Sequence, residues 1–572
     1  MKRNLIPLLL PVTLCAGNVT ALGQMRITHA YTPGVAIPDA GEVVDSRSFG
    51  IAGSKVTEVT VSLDIVGYGF DGGYNGDLYA ALSHGSAYSV LLNRTGKATP
   101  TGSGYSDDGF HVTLSDSAVG DIHNYRSVLN GSDGIAVPGG PSGTWQPDGR
   151  IASPDPVVSS SPRTALLSVL NGQDAGGEWR LLLSDHSAGA TSKLVGWSLA
   201  VTTDSVGTGA QSFSSDLVEF LGLSQILSGP LTLIGQNTFK SAFDTRFDGQ
   251  IDGSGGLVSS GAGELGLYGA NSFSGGTRLQ SGTLTVGNNS ALGSGSLSLE
   301  GGTFKSAVTS LTLPNSVTAQ AVSTINASTA LTLAGSISGS ADLHKTGTAR
   351  LTLSSPSSLH SGTWYVDAGT LEVSGSIANA AVRVGSGAML TGGGTVGGTT
   401  ITSGGTLSPG QSAGQISLGN TVWQGGGTYA WQIDDATGTA GNSIGWDLAQ
   451  INGSLSITAT SLNRFTFTVS SLSPVGPGYS AGDAAHFNAG QSYSWRVAST
   501  TQGVSGYSAD QFLLDTSGFS NDTLGGSFSL ELSGNNLNLS FTAVPEPGTY
   551  ATMIGSMLGL FALHRRRSRR WV

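Results

Sequence analysis

Between about residues 215 and 435 the chain is a succession of very short runs in which apolar and small polar residues alternate, cut every few positions by Gly, Ser or Asn. The runs recur. Leu265, Leu267, Asn271, Phe273 and Thr277 are followed by Gly282-Thr283-Leu284-Thr285-Val286, and a partial copy with Leu231, Leu233, Asn237 and Phe239 lies 34 residues upstream. A later copy runs from Leu351 and Leu353 through Thr363 to Gly369-Thr370-Leu371-Glu372-Val373. Two or three inward residues bury too little apolar surface to stand alone, so such units must stack. The pattern therefore predicts a parallel β-helix, or solenoid, with each rung hydrogen-bonded to the next. Gly and Asn are expected at its corners because both tolerate positive φ.

The flanking regions also read as strands. Val56, Val59, Val61, Leu63 and Ile65 come close to strict alternation, and Trp179-Arg180-Leu181-Leu182-Leu183 and Leu194 to Leu199 repeat that texture around a turn cluster at 184–191. Residues 25–205 are thus predicted to form a β-sandwich of antiparallel strands, with two tryptophans supplying core area. Ile451 to Ile457, Phe465 to Val469, Tyr493 to Val497, Phe528 to Leu532 and Leu537 to Phe541 alternate cleanly. They are predicted to be antiparallel strands of a cap over residues 436–543, closing the solenoid where an unpaired rung would invite aggregation. The expected fold is all-β: an N-terminal unit of antiparallel strands, which a family resemblance described below implies is a jelly-roll β-sandwich, a solenoid over 215–435, an antiparallel cap and a short terminal transmembrane helix.

Only 11% of residues are charged and the net charge is −11, a balance that excludes a nucleic-acid partner, whose phosphates demand clustered Lys and Arg. The single cysteine, Cys15, sits in an apolar run from Leu5 to Leu14 behind Lys2 and Arg3. That arrangement, with Ala21 and Gly23 before a cleavage point, reads as a secretory signal peptide over residues 1–23, processed by signal peptidase. The mature chain then holds no thiol, hence no disulfide and no thiolate metal site.

At the other end, Val544-Pro545-Glu546-Pro547 precedes an apolar run from Tyr550 to Leu563 and then Arg565, Arg566, Arg567, Arg569 and Arg570. A helix over residues 550–563 would span about 21 Å, short of the roughly 30 Å hydrocarbon core, so it is a transient anchor in the inner membrane. The arginines stop translocation and leave the rest of the chain outside. The tail resembles that of PEP-CTERM proteins, which carry the same three parts in the same order over what is here residues 544–570. This resemblance implies processing by an exosortase and release to the outer surface or extracellular matrix of a Gram-negative-type bacterium.

Gly76-Asp77-Leu78, Leu91 to Arg94, Asp107 to Phe110, Gly143-Thr144-Trp145, and above all Leu170 to Trp179 leading to Gly196-Trp197-Ser198-Leu199, resemble the P (Homo B) domain of proprotein convertases and bacterial subtilisin-like proteases. The resemblance implies a jelly roll that stabilises or modulates a neighbouring protease and carries no triad. The repeats resemble the autotransporter-associated β-strand repeat, which implies a right-handed β-helix serving as a stalk or adhesive surface. An autotransporter's terminal membrane barrel has no counterpart in the residues after Ile433.

Calcium is the one candidate cofactor, because it takes oxygen ligands from acidic loops; Asp107, Asp108, Asp174 and Asp185 are the candidate ligands. The G-x-S-x-G pattern occurs at 410–414, 441–445 and 478–482, but no strand-to-helix context makes any of these serines a nucleophile. His84, His111, His123 and His186 are expected in turn or surface roles. Asp342, Asp367 and Glu372 are too dispersed for a carboxylate pair. No catalytic residue is assigned and the chain is expected not to be an enzyme. The expected function is that of an exported cell-surface or matrix protein, structural or adhesive in exopolysaccharide or biofilm. Two rival readings stand beside it: an accessory protein modulating a secreted subtilisin-like serine protease, and a β-helix enzyme cleaving polysaccharide.

Overall fold

The computed structural model describes residues 23–222, 224–475, 478–544, 556–558 and 560. The signal peptide before Gly23, the sorting residues Pro545, Glu546 and Pro547, and the stop residues Arg565, Arg566, Arg567, Arg569 and Arg570 lie outside them, as does most of the expected membrane helix at 550–563. Val544 ends the described body without regular structure. Among the described residues no helix is long and apolar enough to cross a membrane.

The chain divides into two compact units: residues up to 212 with 216–229 and 242–245, and 213–215 with 230–241 and the remainder from 246. The first is a two-layer β-sandwich. One sheet places Leu217–Leu221, Gln24–Tyr31, Thr191–Thr203, Val56–Tyr68, Phe110–Leu114 and Ser142–Trp145 side by side; the other orders Glu42–Phe49, Gly177–Asp185, Leu78–His84 and Ala87–Asn93. All neighbours are antiparallel except Phe110–Leu114 with Ser142–Trp145. The alternation has its expected effect: Val59, Val61, Leu63 and Ile65 are buried from one layer, and Ala80, Leu82, Leu181 and Leu183 from the other. Trp179 and Trp197 are buried as well. Between the strands, helix Tyr125–Asn130 ends at Gly131, whose φ of 69° closes a left-handed cap with its N–H on the Ser127 carbonyl.

The second unit is a β-solenoid of about 11 turns. Successive coils pair in parallel register: Leu257, Thr277, Leu297, Val317 and Ile337 on one face, Leu284, Phe304 and Ile325 on the next. On a third, Leu311, Leu331, Leu351, Leu371, Leu390 and Leu407 stack in one column. The 34-residue spacing of the sequence copies is not the coil. Leu231 pairs with Ile251, whereas Leu265 pairs with Leu284 on a different face, so similar strings recur on different faces.

The corners also differ from expectation. Gly339 and Gly392 do adopt positive φ, 94° and 114°, and a Cβ there would strike the carbonyls of Ala319 and Val373 at 2.1 Å. Asn271 has no positive φ; its side chain accepts the Ile251 N–H at 2.8 Å and donates to the Ala291 carbonyl at 2.7 Å, tying three coils together. A basic side chain is among the charged groups buried here. Lys345 is fully buried, and its Nζ donates to the carbonyls of Gly347, Ala349 and Ala368 at 2.7, 2.7 and 2.8 Å and to that of Thr346 at 3.2 Å. Burial pushes its ammonium down to about 8.

The solenoid runs on beyond residue 435. Phe465–Val475 lies parallel to Thr428–Ile433 on one side and to Phe512–Gly518 on the other, and Leu448–Ile451 lies parallel to Gln415–Leu418. Antiparallel pairing, expected throughout 436–543, is found in Tyr493–Thr500 with Asn536–Thr542, in Asn536–Thr542 with Ser527–Ser533, and in Phe465–Val475 with Gly478–Ala481. Alternation reports which face of a strand is buried and is silent about strand direction. Long excursions between strands, such as 434–447, lengthen a coil without changing its direction.

Candidate functional site

The four candidate calcium ligands are not gathered. Asp107 is buried, and its carboxylate accepts Arg126 Nε at 2.6 Å and Nη2 at 2.9 Å, the Tyr125 hydroxyl at 2.5 Å and the Val137 N–H at 2.7 Å. Burial pushes that carboxyl up, but the bonds from Arg126, Tyr125 and Val137 outweigh it and hold the group below the usual carboxylate range. Asp107 therefore offers no free oxygen and does not fit a calcium ligand. Asp108 accepts the Gly73 N–H at 3.1 Å, and exposed Asp174 pairs with Lys55 at 2.8 Å. Asp185 is buried beside the Ser187 N–H, and burial, with Asp77 and Asp39 nearby, pushes its carboxyl up to about 6. Among the described residues no group of three or more His, Cys, Asp and Glu side chains is placed to hold a metal. His123, expected at a turn or surface, is fully buried with Nδ1 2.7 Å from Asp148.

Tryptophan exposure singles out another place. Seven of the eight described tryptophans are buried; Trp446 is the exception. It sits in the excursion 434–447 between Ile433 and Leu448, and that excursion is fastened from below. Asp434 accepts the Gly445 N–H at 2.6 Å, and the fully buried Asp447 accepts the N–H groups of Gly414 and Gln432, one per oxygen, both at 2.9 Å. Gly445 takes φ 153°, and a Cβ there would meet the Thr439 carbonyl at 2.1 Å, so only glycine lets Thr439–Ala440 lie against Gly445–Trp446. The indole Nε1 then donates to the Arg496 carbonyl at 3.0 Å. Ring orientation is thereby fixed, and the side chain stays half-buried at the rim of a hollow.

Beside the indole lies a depression of about 400 Å³ lined by Thr439, Trp446, Ser494, Arg496, Asn536 and Asn538 among others. Its floor is the antiparallel pair Tyr493–Thr500 and Asn536–Thr542, in which Arg496 stands opposite Asn538. On these strands Trp495, Leu537, Leu539 and Phe541 turn inward, so Ser494, Arg496, Asn536 and Asn538 all project outward. The Oδ1 of Asn538 is buried and has no hydrogen-bond partner. An indole face, two amides, a guanidinium and two hydroxyls around one hollow form the set that stacks on the C–H face of a pyranose and bonds its hydroxyls.

A second hollow, of about 420 Å³ in the sandwich, lies over Gly196 between Ser62, Ser198 and the His111–Asp64 pair, whose Nδ1–Oδ1 distance is 2.7 Å. Its two aromatic neighbours, Tyr31 and Trp197, are both buried. Sequence reasoning missed the Trp446 hollow because its residues come from three separated segments. The available signal was Gly445-Trp446-Asp447, where a large aromatic interrupts the apolar alternation.

The passenger-associated-transport-repeat family matches residues 257–286 and 343–373, two stretches of the solenoid. No curated protein matches the chain. Among solved structures, a serine protease of Aeromonas sobria matches at 17% identity and a TM-score of 0.17, over 31% of this chain and 27% of that one. The complex of the Aeromonas sobria serine protease with its chaperone matches at 18% identity and the same TM-score, over 32% and 27%. Each match thus spans about a quarter of the solved chain. Both are structures of a protease, and on this finding the expectation that the chain is not an enzyme does not stand. A TM-score of 0.17 carries no argument about residues, and no catalytic role is transferred from them.

Proposed function

We propose that this is an exported surface protein whose solenoid presents a binding site for extracellular polysaccharide, seated at Trp446. The carrying observation is the half-buried Trp446 lining one hollow with Arg496, Asn536 and Asn538 of an antiparallel strand pair. The two repeat matches support the export reading, since they are of a class associated with passenger transport. In this reading the signal peptide starts export, an exosortase acts at Val544-Pro545-Glu546-Pro547, and the released protein takes its place in the biofilm matrix with the P-like sandwich as a second module.

The test is affinity electrophoresis of the full chain through gels containing the exopolysaccharide of the producing cells. Retardation is expected for the natural protein and is expected to vanish in Trp446→Ala, with an unchanged circular-dichroism spectrum. Equal retardation of the two proteins would sink the reading.

A further inference from the structure

The hollow beside Trp446 carries more information than its aromatic floor. On the coils, Arg246, Arg278 and Arg350 each hold a carboxylate, Asp248, Glu300 and Glu372, at 2.5, 2.7 and 2.8 Å, whereas exposed Arg383 pairs with none among the described residues and lines no hollow described above. Arg496 lines the hollow with its side chain exposed and, among the described residues, holds none. No other charged side chain is in the lining.

The charged groups around it do not cancel that guanidinium. Asp434 and Asp447 are buried and turned to the N–H groups of Gly445, Gly414 and Gln432, and neither lines the hollow. Asp435 is engaged by His486 at 2.9 Å and by the N–H and hydroxyl of Thr437. Glu531 stands opposite Asn538 on the next strand, two strands from Arg496, which at the spacing of paired strands is about 10 Å. Locally the hollow is cationic.

A guanidinium free on its donor edge beside a stacking indole is matched by a planar carboxylate one bond from a sugar ring, because the two can form parallel N–H···O bonds. Asn538 stands opposite Arg496 on the paired strand and lines the same hollow, so its amide is the polar group nearest in register to the guanidinium. Resting on the polysaccharide reading above, we propose that the ligand is a uronate-bearing polysaccharide, with Trp446 stacking the ring, Arg496 taking the carboxylate and the Asn538 amide bonding a hydroxyl.

The probe is polygalacturonate, compared with the same polymer after its carboxyls have been reduced to alcohols, each cast in gels and run against the full chain. The natural protein is expected to bind the acidic polymer about tenfold more tightly than the reduced one, by a margin that shrinks with added salt. Arg496→Gln is expected to erase the margin while keeping retardation by the reduced polymer; Trp446→Ala is expected to lose both. Equal retardation of the natural protein by both polymers overturns the carboxylate assignment and leaves the Trp446 reading standing. A margin that survives in Arg496→Gln overturns the role of that residue. Retardation by either polymer that Trp446→Ala leaves intact, or no retardation at all, overturns the site itself.

Discussion

The sandwich joins segments far apart in sequence: strand Gln24–Tyr31 pairs with Thr191–Thr203, and the Thr203 hydroxyl reaches the Met25 carbonyl across 178 residues. In the solenoid each residue meets its counterpart one coil later, as Leu311 meets Leu331 and Leu331 meets Leu351. Their treatment of charge differs in the same way. The sandwich buries ion pairs, Arg126 with Asp107 and Arg150 with Asp148 and Asp121, and these tie loops to one another. The solenoid interior is a column of Leu, Val and Ile, with Lys345 satisfied entirely by neighbouring carbonyls. Where contacts span the whole unit, losing one loosens everything; where they span one coil, the damage stays near its origin.

The largest expected effect lies in the sandwich. Arg126→Met strips Asp107 of its countercharge while Asp107 stays buried, at a cost of about 3–5 kcal/mol. Urea denaturation should show the sandwich unfolding as a whole at lower concentration, with amide exchange in the solenoid unaltered; exchange confined to residues 105–137 would break the contrast.

Lys345 gives the intermediate effect. Its folded value of about 8 lies below the ordinary 10.5, so between those values the unfolded chain binds the proton more tightly and stability rises with pH. Over that window the natural protein should gain about 3 kcal/mol on Lys345→Met, measured as parallel urea midpoints from pH 7.5 to 10.5. A constant difference between the two would mean that the four carbonyls hold the ammonium charged throughout. The smallest effect is expected on the solenoid surface, where Arg278 bonds Glu300 at 2.7 Å in the open: Arg278→Ala should cost less than about 1 kcal/mol and shift the melting temperature by a degree or two at most.

That short apolar runs must stack was plain in the sequence, but the coil was not: Leu-Thr-Leu at 311–313, 331–333 and 351–353 marks the column, whereas the copies at Leu231, Leu265 and Leu351 compared different faces. Val59 to Ile65 announced the sandwich core. Strand direction was not readable, which is why Phe465–Val475 was expected antiparallel and is parallel. Nor was the partner of an acidic turn: Asp107 looks like any loop aspartate until helix Tyr125–Asn130 delivers Arg126 to it. The Trp446 hollow joins segments around 446, 496 and 538 whose adjacency depends on the register of Arg496 against Asn538 and on a bulge next to Arg496. Pairing register of that kind is a property of the assembled sheet, and local composition does not encode it.

The column Leu311, Leu331, Leu351 has no privileged member, and that bears on how such a protein changes over generations. Copying a stretch of one coil in the gene inserts a seat that fits its neighbours on arrival, and deleting one lets the flanking coils close over the gap. The length of the solenoid is then adjustable in whole steps by duplication alone, while the hollow around Trp446, composed of non-repeating parts, travels along unaltered. The same accident inside strand Val56–Tyr68 would put half of its side chains out of register with both neighbours.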